Sequence, residues 1–204
     1  MSEQPSTQRV VFLVSVIQEG QAIIDALGLL EQPDHPHPMF VGEGGRVLLI
    51  VTGIGPKAAE DAVNQARVMP DLQGARWVNF GIAGHATHPI GSFFQVNHFF
   101  REDAVSGFPG TAPELRGFQT EVLRTYPEFV EDYPESGLVD MEGCAIADAL
   151  RAHEWLDQLL VFKLVSDNRE ESQLATVATR QLLGRMLAER AREVLKAIGL
   201  RQPE

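Results

Sequence analysis

The run Val10–Ile17 (VVFLVSVI) most constrains how this chain can fold. It is rich in β-branched residues and has no polar alternation, the pattern of a strand covered on both faces. Such a strand needs helices on either side of its sheet, and the sequence supplies them. Gln21–Leu30 carries Ile23, Ile24, Leu27 and Leu30 at helical spacing, and Lys57–Val68 follows Pro56, a favoured residue at a helix start. Phe40–Val41 and Arg46–Val51 read as a hairpin around Gly42–Gly45. Further strands are expected at Trp77–Phe80, Ser92–Phe100, near Thr120–Thr125 and at Leu159–Val165. Met141–His153 reads as a helix, and Gln173–Ile198 as a long amphipathic one with Arg192 and Lys196 in its last turns. The stretch from Glu102 to Gly137, rich in proline and glycine, is the least legible. Strands alternating with helices predict an α/β fold, with a mostly parallel sheet between helical layers.

The chain has 204 residues, which predicts one domain over 1–204, with the polar residues 1–9 flexible. Lys and Arg number 17 against 28 Asp and Glu, a net charge of −11 that disfavours nucleic acid or an anionic membrane as the main partner. A single cysteine, Cys144, excludes an intramolecular disulfide and a cysteine-based zinc cluster, and fits a reducing, cytoplasmic setting. No targeting or membrane segment is visible, since Val10–Ile17 falls far short of the ~20 residues needed to cross a bilayer. A soluble intracellular protein is expected.

In folds of this class, ligands sit beyond the carboxyl ends of the strands. Four segments hold that place: Gln18-Glu19-Gly20, Thr52-Gly53-Ile54-Gly55, Gly81-Ile82-Ala83-Gly84 and Ser166-Asp167-Asn168. The segment Gly53 to Ala58 fits G-x-G-x-x-A, a dinucleotide fingerprint or simply a tight turn with close helix packing. It follows a later strand rather than the first, no strand-end acid follows it by about 20 residues, and Pro56 lacks an N–H for phosphate, so the turn reading is preferred. Asp167 is either a helix cap or a carboxyl withdrawn from water and able to donate a proton. Glu142 suits the first turn of a helix, and it can equally chelate two neighbouring hydroxyls, with Met141 as a soft apolar partner for a flat ligand. Glu19 is a solvated cap unless it points over the sheet edge. The six histidines form no recognisable metal motif, so no metal is expected, and Cys144 reads as a buried apolar residue. Trp77 and Trp155 belong to the core or its rim.

In combination these segments resemble one family. Thr52-Gly53-Ile54-Gly55 looks like an S/T-G-I-G loop, and Asn79-Phe80-Gly81-Ile82-Ala83-Gly84 like an N-T-G-S-A-G loop. Val139-Asp140-Met141-Glu142 with Ala145-Ile146-Ala147 looks like V-E-M-E-x-x-A-I-A, and Leu164-Val165-Ser166-Asp167 like a strand ending in I-S-D. These are the marks of the purine nucleoside phosphorylase and uridine phosphorylase superfamily, nearest to its methylthioadenosine/S-adenosylhomocysteine nucleosidases. The resemblance covers about Val10 to Gly91 and Leu138 to Leu195.

It implies a three-layer α/β/α sandwich around a twisted mixed sheet, and cleavage of an N-glycosidic bond through an oxocarbenium-like state. Asp167 would protonate the leaving base and Ser166 would orient it. Glu142 would bind the ribose hydroxyls, Met141 would pack on the sugar, and Glu19 would activate water. Gly53 and Ile54, with Gly81, Ile82 and Ala83, would line the substrate, and Tyr126 or Phe129 would face the base. A small-molecule nucleoside is the implied partner, no cofactor is needed, and a homodimer is expected. Three departures stand out. Asn79 occupies a position where purine phosphorylases often carry arginine, favouring water over phosphate. Ile82 replaces a small hydroxyl residue, and the middle of the chain is several tens of residues shorter. A phosphate-dependent phosphorylase and a nucleoside-binding protein without turnover are the alternatives.

Overall fold

The computed structural model describes residues 8–200, apart from 34, 70, 71, 103, 131 and 171–176. In chain order its elements are β1 (Val10–Val14), α1 (Ile17–Leu27), β2 (Leu30–Gln32), β3 (Met39–Val41), β4 (Val47–Val51), α2 (Pro56–Ala66), β5 (Arg76–Gly84), β6 (Phe93–Arg101), β7 (Phe108–Pro109), β8 (Gln119–Thr125), β9 (Leu138–Asp140), α3 (Gly143–Arg151), β10 (Leu159–Asp167) and α4 (Val177–Ala197).

The sheet is mixed, and its long central ladders are parallel. β1 lies between β4 and β5 and is parallel to both, and β5 is parallel to β10 on its other side. Beyond β4 the edge turns antiparallel through β3 and β2. On the far side β10 runs antiparallel to β6, and β6 and β8 then run parallel to each other, as do β8 and β9. β9 returns to the end of β5, where Val139 faces Gly84. The fully buried β1 and β10 explain why their sequences lack alternation: both faces are covered.

Alternate residues feed two cores, as the strand period of two requires. Phe12, Phe80 and Phe162 pack with Leu183, Leu187 and Val194 of α4, whereas Leu13, Trp77 and Val161 pack with Val63 of α2 and Ile146 of α3. This is the α/β/α arrangement. Each fully buried aromatic or aliphatic side chain contributes about 1.5–3 kcal/mol, so the layers are held mainly by these rows. Trp77 stacks on Trp155 at 6.1 Å, and Phe93, Phe94 and Phe99 are buried.

Several boundaries differ from the sequence expectation. α1 begins at Ile17, so Gln18-Glu19-Gly20 opens a helix instead of closing a strand. β5 and β10 extend through Gly84 and Asp167, so both presumed loops are strand ends. Asp140 ends a short strand, β9, that was not expected, and α3 begins at Gly143 rather than Met141. Residues 1–7 and the predicted helical residues 173–176 lie outside the described residues, and Gln8 and Arg9, expected to be flexible, are tied to Gly74 and Arg76. No helix among the described residues is long and apolar enough to cross a membrane.

Candidate functional site

At the carboxyl ends of β1, β5 and β10 lies a cavity of about 220 Å³. Glu19, Ile82, Ala83, Met141, Glu142, Ser166 and Asp167 line it, with Ile54 and Phe129 exposed at its rim. Gly53 and Gly81 are not on its wall but act beneath it, as described below. Tyr126 stands outside it, packed against the small cluster of Ala86, Tyr133 and Val139, so its expected contact with a ligand is not what this arrangement provides. Tyr133, which the sequence reading did not single out, does line the cavity.

Glu19 reaches the cavity because it is the third residue of α1. From there its Oε2 accepts the N–H of Ser15 at 2.8 Å and of Val16 at 3.3 Å, the return half of a capping box. Its Oε1 accepts the N–H of Ile82 on β5 at 2.9 Å. That approach depends on Gly81, where a Cβ would come within 2.6 Å of Oε1. Burial raises the Glu19 pKa, opposed by the nearby Lys163 charge and by these N–H donors.

Glu142 caps α3, and its Oε1 accepts the N–H of Gly55 at 2.7 Å. Gly55 has φ +96°, a conformation that favours glycine, and Pro56 follows it as the first residue of α2. The turn through Gly53 thus delivers to Glu142 the N–H that a dinucleotide phosphate would have used. The Glu142 pKa is raised, first by burial and then by the charge of Asp140, while Lys163, Gly55 and the Ser15 hydroxyl pull it down.

Beneath these carboxylates lies a buried cation that the sequence analysis missed. Lys163, 1% exposed, sits in the middle of β10 with its Nζ 2.8 Å from Asp140 Oδ2. Asp140 also accepts the Thr125 hydroxyl at 2.6 Å and the Gly143 N–H at 2.9 Å. The charges of Asp140, Glu142 and Glu19 together raise the Lys163 pKa against burial. One lysine inside the apolar run LLVFKLV was the available signal.

Asp167 and Ser166 are adjacent, yet both face the cavity. A regular strand would point them to opposite faces, but the β10–β5 register shifts between Val165 and Asp167. Ser166 Oγ donates to Asp167 Oδ1 at 2.5 Å, and the Tyr133 hydroxyl donates to Oδ2. Burial pushes the Asp167 pKa up to about 6. A carboxyl so placed can hold a proton near neutrality and give it to a ligand.

No arginine or lysine is among the described residues that line the cavity, whereas Glu19, Glu128, Asp140, Glu142 and Asp167 are. Asn79 donates to the Leu13 carbonyl at 3.0 Å and does not line the cavity. The thiol of Cys144 is buried, and burial together with Asp148 pushes its pKa to about 12, far from a nucleophile's.

One group among the described residues has metal-ligand side chains in reach: His85, His88 and Glu121, with ligand atoms within 4.8 Å of one another. His88 Nε2 is 3.5 Å from Glu121 Oε2. However, His85 Nδ1 accepts the N–H groups of Thr87 at 3.1 Å and His88 at 2.9 Å. Its proton therefore sits on Nε2, leaving that ring no free lone pair for a metal. The trio fits a hydrogen-bonded turn better than a metal centre.

The fold is similar to those of solved nucleosidases and of a futalosine hydrolase. One is the 5'-methylthioadenosine/S-adenosylhomocysteine nucleosidase of Helicobacter pylori, at 14% identity and a TM-score of 0.75, covering 94% of this chain and 98% of the other. Futalosine hydrolase of the same organism matches at 15% and 0.75, over 93% and 98%. The Neisseria meningitidis nucleosidase matches at 18% and 0.71, over 94% and 99%. No protein-family model matches the sequence, and no curated protein does.

Proposed function

We propose that this chain is a nucleosidase that hydrolyses the N-glycosidic bond of a purine or related nucleoside. The observation that carries the reading is the convergence of Glu19, Glu142 and Asp167 on one cavity, with Asp167 raised to about 6. Fold likeness to nucleosidases and futalosine hydrolase supports it.

In this mechanism protonated Asp167 gives its proton to a ring nitrogen of the base. The glycosidic electron pair leaves with the base, and the sugar becomes an oxocarbenium-like cation. Water adds to the anomeric carbon and its proton passes to Glu19. Glu19 Oε1 accepts one N–H and keeps a lone pair for that water. Glu142 accepts the ribose hydroxyls, and Met141 packs against the sugar. The acidic wall stabilises the developing positive charge and repels phosphate, which favours hydrolysis over phosphorolysis.

The test is base release from a panel of nucleosides, with and without phosphate, followed by chromatography and with Asp167→Asn as control. Release without phosphate, abolished by the substitution, supports the reading. Release only with phosphate makes the protein a phosphorylase, and a bound nucleoside without release makes it a binding protein.

A further inference from the structure

Each oxygen of the Asp167 carboxyl accepts one hydroxyl, Ser166 Oγ on Oδ1 and the Tyr133 hydroxyl on Oδ2, and the Tyr133 phenol fills the space beside Oδ2 on the cavity wall. A base that takes the Asp167 proton must come within about 2.6–3.2 Å of one of these oxygens. Ser166 is the neighbouring residue on β10 and cannot leave. Tyr133 belongs to the connection between β8 and β9, the same segment that brings Glu128, Phe129 and Val130 to the cavity.

The Tyr133 ring packs against Gly84. A Cβ there would come within 2.5 Å of the ring carbons Cε1 and Cζ, so only a glycine leaves room for the ring at this end of β5. Tyr133 is 5% exposed although Phe129 on the same segment is 65% exposed. Its packing partners, Ala86 and Val139 with Tyr126 and Val130, form a cluster separate from both main cores. Besides Asp167, the segment is anchored by Arg169, whose Nη2 donates to the Tyr133 carbonyl at 2.6 Å. A segment packed apart from the core opens at lower cost than the core itself.

We propose that Tyr133 is a gate and a specificity-determining residue: its phenol holds the leaving-group place beside Asp167, and a planar nitrogen heterocycle takes that place by displacing it. The inference rests on the reading of Asp167 as proton donor. It sets the ligand class through the slot the phenol vacates: a flat ring replaces the flat Tyr133 ring against the bare Gly84 backbone. It also divides the site by state: Tyr133 bonds Asp167 only while the slot is empty.

The experiment uses Tyr133→Phe, which keeps the ring and removes the hydroxyl, and Arg169→Gln, which frees the segment without entering the slot. Adenine binding is measured by calorimetry. The Asp167 carboxyl is titrated by carbon-13 NMR in the free protein, with Asp167→Asn assigning its signal. Tyr133→Phe is expected to bind adenine about tenfold tighter, because no hydrogen bond to a carboxylate has to be broken first. Arg169→Gln is expected to tighten adenine by a few fold. In the free protein, loss of the phenol donor moves the Asp167 titration to higher pH. The alkaline limb of kcat/KM follows it, while that of kcat, which reports the occupied site, does not move.

Unchanged or weaker adenine binding in both variants, or limbs of kcat and kcat/KM that move together, overturns the gate. So does a failure of adenine to bind the wild-type protein or either variant. Tighter adenine binding in a protein that cleaves no nucleoside leaves the gate standing and removes the nucleosidase reading instead.

Discussion

Lys163 Nζ and Asp140 Oδ2 form an ion pair at 2.8 Å with both side chains almost wholly buried. Removing one member of such a pair strands the other in a medium that cannot solvate it. Asp140 keeps the Thr125 and Gly143 donors, but Glu142 and Glu19 lose the nearby positive charge at the same time. Lys163→Met is expected to lower stability by about 3–5 kcal/mol in urea unfolding. Adding Asp140→Asn is expected to restore part of that loss. A Lys163→Met protein as stable as the wild type would show that the pair is solvated.

Asp167 links activity to stability. Its folded pKa of about 6 lies above its ordinary 3.8, so between these values the folded state binds more protons than the unfolded state. Stability is therefore greatest below pH 3.8 for this group and is lost as pH rises through 6. Asp167→Asn removes the buried charge. It is expected to abolish turnover while raising stability by about 1–3 kcal/mol at pH 8, and by much less at pH 4. Thermal melts at the two pH values check this, and an equal effect at both would refute it. The same ionisation makes kcat/KM decline above about pH 6, because only protonated Asp167 can give a proton to the base.

Gly81 is required by the approach of Glu19 to β5. In Gly81→Ala the new methyl would lie 2.6 Å from Glu19 Oε1, well inside contact distance. The carboxylate must then give up the Ile82 N–H or α1 must shift. Overpacking of this kind costs about 1–3 kcal/mol. A general base moved from its water typically forfeits about 10²–10⁴-fold in rate. The expected result is a large fall in kcat with a modest fall in melting temperature, and unchanged kcat would show that Glu19 does not handle the water.

The sequence carried most of the frame and part of the site. Uniformly apolar β1 and β10 were legible because both faces are covered, and α2 because Pro56 marks its start. The ends of strands were not legible. Asp140 looks like a helix-opening acid, yet it pairs with Lys163 across the sheet, 23 positions away in a chain whose local pattern shows neither partner. Glu19 looked like a strand-end cap, and it does cap its own helix while also bonding Ile82. Tyr133 escaped notice because its place over Gly84 is set by tertiary packing of a proline- and glycine-rich segment with no periodicity. Tyr126 and Phe129 were near it in sequence, but only Phe129 reaches the cavity.

Glu142 offers the sharpest separation of fold from function. One oxygen serves the fold by accepting the Gly55 N–H at 2.7 Å, and glutamine retains a carbonyl oxygen for that bond. The negative charge is a burden on the folded state, since burial and Asp140 both raise its pKa. Glu142→Gln is therefore expected to unfold no more easily than the wild type at pH 7, and its stability relative to the wild type is expected to rise as the pH climbs above the ordinary carboxylate value of 4.5. A sugar whose two hydroxyls donate to a carboxylate loses one acceptor to the amide N–H₂, which itself only donates. Hydrogen bonds to charged groups contribute about 1.5–3 kcal/mol, so kcat/KM is expected to fall by about 10–100-fold. A 2'-deoxynucleoside substrate, with one hydroxyl fewer, should lose much less on the same substitution. Equal losses for ribo- and deoxyribonucleosides would place the sugar elsewhere in the cavity.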